Sequence, residues 1–268
     1  MRAVTPTVRL IAKPEIDWNS LLGYLSEIPS EGAEKSPIAW GARRVSSPHP
    51  NDAQTLMEAA GRGCYRSWVP GANPNVTRVR EDPAAYFKNL LNSGHGSVLE
   101  HANFSFIISD VSRVVTHELV RHRAGTAISQ ESMRFVRLDD IPFWMPDWVD
   151  EETRERVESL VAQMEDFQRW AADHYGLDEE GVPFATKKKV TSFMRRVAPE
   201  GVGTMLTWTA NVRALRHIIE ARTSVHAEEE IRLVFDQVAA IMKQEVPLLF
   251  SDFIRDSAGQ WVPTSSKI

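Results

Sequence analysis

Residues 101–123, HANFSFIISDVSRVVTHELVRHR, change their hydrophobic period within one short stretch. From Ala102 to Ile108, apolar side chains alternate with smaller or polar ones, a two-residue period that predicts a β-strand. From Val111 onward the apolar residues recur at helical spacing, and Asp110 is placed to cap that helix. A strand that leads directly into a helix indicates a fold in which sheet and helices share one core.

The same two periods divide the rest of the chain. Helices are predicted over residues 83–93, 151–176, 212–222 and 226–247. Gly94 is expected to end the first of these helices, and Asn211 to cap the helix over 212–222. A strand is predicted over residues 203–210. The predicted apolar face of the long helix consists of Val157, Leu160, Val161, Met164 and Phe167. We therefore predict an α+β protein, a single large domain with a central mixed or antiparallel sheet and flanking helices.

Proline, glycine and serine clusters set the predicted domain boundaries. Residues 1–53 are interpreted as an N-terminal extension with a loop, residues 54–250 as the compact catalytic domain, and residues 251–268 as a C-terminal tail.

Composition narrows the class of protein. The 268 residues are 43% hydrophobic and carry a formal net charge of -5, which argues against a dedicated nucleic-acid-binding protein. No window has the roughly 18 to 20 apolar residues of a membrane span, and the N-terminus does not resemble a signal peptide, so a cytoplasmic location is expected. One cysteine, Cys64, excludes an internal disulfide and any CxxC metal site.

The hexapeptide HELVRH, residues 117–122, resembles a zinc-protease motif with altered spacing. Zinc-binding histidines of that motif lie four residues apart on one helical face, whereas His117 and His122 lie five apart. At about 100° per residue the two imidazoles diverge by roughly 140°, which prevents shared ligation on an unbroken helix. A zinc-dependent hydrolase is kept as the alternative function, and no metal site is predicted.

Arginines are concentrated in two regions of this acidic chain. Residues 113–137 contain five arginines and two acidic residues, and residues 195–222 contain the same numbers. A planar guanidinium binds phosphate or carboxylate through two hydrogen bonds. Because the RHR tripeptide, residues 121–123, precedes a loop of small and polar residues, this region is predicted to bind an anion.

Three motifs then resemble those of one enzyme family. RHRAGTAISQES, residues 121–132, fits the pattern of RHR followed after seven or eight residues by serine. GHGSVLEH, residues 94–101, is similar to GHxSxxEH, and NVRALRHIIEAR, residues 211–222, to NxRxxxxxxxxR. On these motifs the chain resembles the flavin-dependent thymidylate synthases over about residues 55–250.

The resemblance implies a reaction and a set of partners. The family makes thymidylate from 2′-deoxyuridylate (dUMP), with methylenetetrahydrofolate as carbon donor and NADPH as reductant through FAD. It also implies a homotetramer whose active sites are formed between subunits. Several anionic ligands would then account for the concentration of arginines.

The resemblance further implies the roles of individual residues. Those expected to bind FAD are His95, Ser97, Glu100, Arg121, His122, Arg123, Gln130, Asn211, Arg213 and His217. Those expected to bind dUMP are Glu118, Arg121, Ser132, Met133, Arg134, Arg195 and Arg222, of which Arg222 is also the catalytic residue that polarises the uracil edge.

Three positions have alternative interpretations. Cys64 could be the nucleophile used by the other class of thymidylate synthase, but its sequence context favours a small residue that serves packing or lies beside FAD. Ser132 has no paired base, so a ligand role is favoured over a nucleophilic one. For Arg222 the structural alternative is a buried salt bridge, with Glu220 or the acidic residues 228–230 as partners.

Overall fold

The computed structural model describes residues 1–47 and 51–265 of the chain. Its strands are β1 (Arg2–Ala3), β2 (Thr7–Ala12), β3 (Asn103–Ser112), β4 (Thr126–Gln130), β5 (Pro142–Phe143), β6 (Gly203–Asn211), β7 (Phe253–Arg255) and β8 (Trp261–Pro263). Its α-helices are α1 (Trp18–Glu27), α2 (Pro37–Val45), α3 (Asp52–Tyr65), α4 (Pro83–Ser93), α5 (Arg113–Leu119), α6 (Glu151–His174), α7 (Phe184–Met194), α8 (Val212–Thr223), α9 (Glu229–Glu245) and α10 (Pro247–Phe250). Short 3-10 helices lie at Ala33–Lys35 and at Gly96–Glu100.

The centre of the molecule is a four-stranded sheet with the strand order β2-β3-β6-β4. Each neighbouring pair in this sheet is antiparallel, and Phe106 of β3 lies opposite Trp208 of β6. The predicted α+β class with an antiparallel central sheet is confirmed.

The main hydrophobic core lies between this sheet and the C-terminal helices. Phe104, Phe106 and Ile108 are fully buried, as the alternation in the sequence predicts. The Trp208 ring lies 5.7 Å from that of Phe106 and 5.5 Å from that of Phe235 on α9. This aromatic contact fixes α9 against the sheet and, through the packing of α9 on α8, the position of α8.

The junction between β3 and α5 differs from the prediction. Asp110 does not cap the helix: it has a φ of 60° in a β-bulge, where the β3–β6 register shifts between Ile108 and Val111. The cap is Ser112, whose hydroxyl oxygen accepts a hydrogen bond from the Val115 backbone N–H. Because the bulge adds a residue to the strand, the helix begins later than its hydrophobic pattern predicts.

The terminal segments are joined to the same sheet. β2, within the predicted N-terminal extension, is the edge strand paired with β3. In the C-terminal tail, the Trp261 backbone N–H donates to the Thr223 hydroxyl at the end of α8, over 3.0 Å. The compact part of the chain therefore extends beyond residues 54–250, while the functional division at those boundaries stays a prediction.

The other predicted elements have clear outcomes. The helices over residues 83–93, 151–176, 212–222 and 226–247 are confirmed as α4, α6, α8 and α9, and the strand over 203–210 as β6. Leu160 was wrongly assigned to the apolar face of α6, since its side chain is 56% exposed. None of the helices in residues 1–47 and 51–265 is both long and apolar enough to cross a membrane.

Candidate functional site

The RHR tripeptide lies in the turn between α5 and β4. α5 ends at Leu119, so Arg121, His122 and Arg123 follow the helix instead of extending it. The turn closes where the Thr126 hydroxyl donates to the His122 carbonyl oxygen over 2.5 Å. β4 then runs antiparallel to β6, which brings this turn beside the start of α8.

Gly125 allows this close approach. Its φ is +71°, a conformation that glycine adopts without strain, and its carbonyl oxygen accepts a hydrogen bond of 3.0 Å from the Asn211 backbone N–H. A Cβ atom at this position would lie 2.4 Å from Nδ2 of Asn211. Asn211 also caps α8, since its Oδ1 accepts from the Ala214 backbone N–H. The RHR turn and the α8 N-terminus thus form one surface.

The opposite end of α8 contacts the same turn through Arg222. Its Nε donates to Nε2 of His122 over 2.7 Å, and its Nη1 donates to Oε2 of Glu118 over 2.5 Å. A third hydrogen bond, of 3.2 Å, joins Nη2 to the Glu118 carbonyl oxygen. Side-chain exposure is only 17% for Arg222 and 25% for Glu118, so solvent screens this ion pair incompletely.

These contacts test the sequence interpretation of Arg222. The predicted partly buried position is confirmed, but the salt-bridge partners proposed for it, Glu220 and residues 228–230, are wrong. The partner is Glu118, which the family resemblance placed among the dUMP-binding residues. The pairing could not be predicted from spacing, because the two residues lie 104 positions apart in the chain.

His122 is held in its neutral form. Burial, the Arg222 guanidinium and His217 together lower the pKa of His122 from 6.5 to about 4. Since Nε2 accepts the hydrogen bond from Arg222, the ring proton resides on Nδ1, which can donate to a ligand. The His217 ring lies 6.0 Å away, edge-on to that of His122.

A cleft of about 350 Å³ lies near the N-terminal end of α8. It contains three residues that the resemblance assigned to cofactor binding, His95, Ser97 and Arg213, and also Cys64 and Tyr65. Arg213 pairs with Glu100 over 2.5 Å, and both side chains are about half exposed. Four of the predicted cofactor-binding residues are thus adjacent, and Cys64 lies beside them.

Three of the predicted dUMP-binding residues, Ser132, Met133 and Arg134, follow β4. Gln130, which the resemblance assigned to FAD binding, ends that strand, and its Nε2 is buried without a hydrogen-bond partner among the described residues, as is Nε of Arg134. The Arg134 carbonyl oxygen accepts a hydrogen bond of 2.8 Å from the Thr191 hydroxyl on α7, the helix that ends just before the exposed Arg195. Buried donors without partners mark a place where a polar ligand would be stabilised.

The remaining residues of this group differ in accessibility. The Ser132 hydroxyl is 3.4 Å from the Arg134 backbone N–H and half-buried. Met133 is 9% exposed and packs in a hydrophobic cluster with Leu138 and Ile141, so its side chain serves the core.

Sequence reasoning did not predict that Gly61 of α3 and Tyr86 of α4 line the cleft near the N-terminal end of α8. The Tyr86 side chain forms part of the cleft wall. Gly61 faces this ring, because a Cβ there would lie 2.1 Å from the Tyr86 hydroxyl oxygen. No local motif marks this contact, which depends on how two separate helices pack.

The histidines of HELVRH have different partners. Nδ1 of His117 lies 2.9 Å from Oε1 of Glu200, whereas His122 contacts Arg222. Within the described ranges, no group of three or more His, Cys, Asp or Glu residues has a geometry that could hold a metal ion.

Comparison with known proteins agrees with the motif resemblance. The profile of a family described as "Thymidylate synthase complementing protein" matches residues 47–248. A protein of Mycobacteroides abscessus named flavin-dependent thymidylate synthase is 36% identical over 251 residues, covering 91% of this chain and 85% of its own. A protein of the same name from Mycolicibacterium gilvum is 35% identical over 205 residues, covering 74% and 78%.

Proposed function

This chain belongs to the thymidylate synthase complementing protein family, and from that premise we propose that it is a flavin-dependent thymidylate synthase. The proposed reaction is the reductive methylation of dUMP to thymidylate. Methylenetetrahydrofolate would donate the carbon, NADPH would be the reductant, and FAD the cofactor.

One contact supports this function best: the hydrogen bond from Arg222 to His122. These residues belong to two family motifs that lie 100 positions apart, and the fold brings their side chains to 2.7 Å. A nitrogen donor network of this kind, partly screened from solvent, is suited to bind an anionic planar ligand. Neither a hydrolase nor a nucleic-acid-binding module requires this particular pairing.

The RHR turn and the cleft near the N-terminal end of α8, called the flavin cleft below, carry donors that fit a dinucleotide. Among the described residues, neither Arg121 nor Arg123 has a carboxylate within 4.0 Å, so both guanidinium groups are available to a diphosphate. Nδ1–H of His122 and the Asn211 amide add neutral donors. A cleft of about 350 Å³ holds only part of a molecule as large as FAD. This size supports the proposal that a homotetramer forms each site from more than one subunit.

Arg222 can serve the substrate without losing its present contacts. A guanidinium has five N–H groups, and Arg222 uses three of them toward His122 and Glu118. Two N–H groups remain to donate to O4, at the N3/O4 edge of uracil. Glu118 and His122 therefore act to hold Arg222 in a fixed orientation, which lowers the reorganisation needed when charge develops on the ring.

The chemistry divides between the chain and its cofactor. Bound FAD would supply the reducing equivalents that originate from NADPH. The chain itself would bind the dUMP phosphate through Arg134, Arg195 and Ser132, and would stabilise negative charge on uracil through Arg222. A cysteine nucleophile is not required in this scheme, and Cys64 is assigned to the cofactor side. We place this enzyme in the cytoplasm, where a lone cysteine stays reduced.

The visible absorption spectrum of the purified chain tests the proposal. Flavin absorption bands, present on purification or after addition of FAD, are expected together with bleaching by NADPH under anaerobic conditions. A colourless protein that also fails to take up added FAD would overturn the proposal. Retained activity toward a hydrolysable substrate, lost on chelation, would instead support a zinc hydrolase.

A further inference from the structure

A second cleft adjoins the flavin cleft, and its function is not explained by the motifs. Its volume is about 330 Å³, and it shares Tyr65, Tyr86 and His95 with the flavin cleft. We call it the arginine cleft, because its lining includes Arg62, Arg78 and Arg80, together with Asn75 and Thr77.

The charge of the arginine cleft is unusual for this chain. Its lining contains three arginines and no aspartate or glutamate, in a protein with a formal net charge of -5. Among the described residues, no carboxylate lies within 4.0 Å of the guanidinium of Arg78 or Arg80. Two unneutralised guanidinium groups in one concave surface attract an anion.

Arg62 has a structural role, unlike the other two arginines of the cleft. It is 1% exposed, and its Nε, Nη1 and Nη2 donate to the Glu58 carboxylate, the Ser67 carbonyl and the Arg80 carbonyl, respectively. These bonds join both ends of the segment between α3 and α4 to one buried side chain. The segment that contains Arg78 and Arg80 is thereby positioned before any ligand binds.

An aromatic pair lies between the two clefts. The rings of Tyr65 and His95 are stacked, with centroids 6.0 Å apart and planes inclined by 19°. Tyr65 is 55% exposed, so this surface is accessible to a planar group. A ligand that placed an aromatic ring in the flavin cleft could therefore extend across this pair and place an anionic group in the arginine cleft.

We propose that Arg78 and Arg80 form an anion subsite for a co-substrate that binds next to the flavin. The inference rests on the proposed function, which requires two anionic co-substrates: a phosphorylated nicotinamide nucleotide and a folate with glutamate carboxylates. Their shared chemistry is a planar ring linked to an anionic tail. Of the two, the ribose 2′-phosphate of NADPH would carry the higher charge per group.

The test is equilibrium binding to the FAD-loaded full chain, measured by calorimetry. The probes are adenosine 2′,5′-bisphosphate and the mono- and triglutamate forms of folate. The variants Arg78→Gln and Arg80→Gln remove the proposed contacts. Arg66→Gln is the matched control, because it removes one exposed arginine from the same segment without changing the cleft lining.

An effect confined to the cleft variants is expected. Arg78→Gln or Arg80→Gln should weaken the probe that uses the subsite by about tenfold or more, as expected for a lost charge-assisted hydrogen bond, whereas Arg66→Gln should leave it unchanged. Weakened binding of adenosine 2′,5′-bisphosphate would identify NADPH as the ligand of the subsite. Weakened binding of the triglutamate form alone would identify the glutamate tail of folate as the ligand of the subsite. Arg78→Lys should retain part of the affinity, because it keeps the charge.

Three results would overturn the subsite: no change for any probe, an equal change in Arg66→Gln, or loss of FAD from the cleft variants. The last result would assign these arginines to the flavin itself. Because binding is measured without turnover, the failure of this subsite is distinguishable from a failure of the proposed reaction. A wild-type chain that binds the probes but forms no thymidylate would leave the subsite intact.

Discussion

Arg222 is the residue whose environment determines most of the proposed chemistry. Its guanidinium is oriented on one side by a carboxylate and on another by a neutral imidazole. Lysine would keep the positive charge but would lose the planar arrangement of donors that contacts both partners at once. The substitution therefore separates charge from geometry.

We expect Arg222→Lys to reduce dUMP-dependent turnover by about 100 to 1000-fold, the usual effect of removing one preorganised donor. FAD content should stay close to that of the wild type, and unfolding in denaturant should change little. Steady-state kinetics, flavin absorbance and urea unfolding measure the three quantities. A loss of stability that parallels the loss of turnover would show that Arg222 serves mainly as a structural ion pair.

His122 makes the stability of the chain depend on pH. Its pKa is lowered to about 4 in the folded chain, against 6.5 for the free side chain, so the unfolded state takes up a proton first as the pH falls. The contribution of His122 to the free energy of unfolding should therefore decrease as the pH falls from about 6.5 to about 4.

The His122→Gln variant isolates this contribution, since glutamine can accept a hydrogen bond but does not titrate. Urea unfolding at several pH values should show a shallower decrease in stability for the variant than for the wild type over this range. Identical pH profiles would mean that the neutral state of His122 is not maintained by the fold.

At the scale of the elements, α4 and α8 were predicted from their own end signals. Gly94 ends α4 in a left-handed conformation with a φ of 73°, and Asn211 caps α8, both as predicted. Of the four strands in the central sheet, two were missed. β2 and β4 are edge strands with weak alternation, and each is defined by pairing with a strand distant in the sequence, which no local pattern specifies.

Asn211 combines the α8 cap with a proposed flavin contact, and two substitutions separate these roles. Asn211→Asp should keep the cap and leave stability within about 0.5 kcal/mol, whereas Asn211→Ala should cost about 1 kcal/mol. Both should weaken FAD binding, because both remove the amide donor. Thermal unfolding and flavin titration measure the two effects. If Asn211→Asp binds FAD as tightly as the wild type, Asn211 acts only as a cap.

At the scale of the whole molecule, the site depends on contacts that the sequence could only imply. The motifs identified the residues, but the meeting of Glu118, His122 and Arg222 follows from β4 pairing with β6 and from α8 packing behind the sheet. The arginine cleft has no motif, because the packing of α3 against the segment before α4 creates it. Local chemistry is therefore predictable from sequence, and the distances between motifs come from tertiary packing.

Product analysis tests the central claim most directly. The purified chain is incubated with dUMP, methylenetetrahydrofolate, NADPH and FAD, and thymidylate is quantified by chromatography. Parallel reactions use a flavin-depleted chain without added FAD and the Cys64→Ala variant. Thymidylate formation that requires the flavin and persists at a substantial level in Cys64→Ala is the predicted result. The account would be contradicted by a flavin-loaded, folded chain that forms no thymidylate, or by turnover that disappears with the thiol.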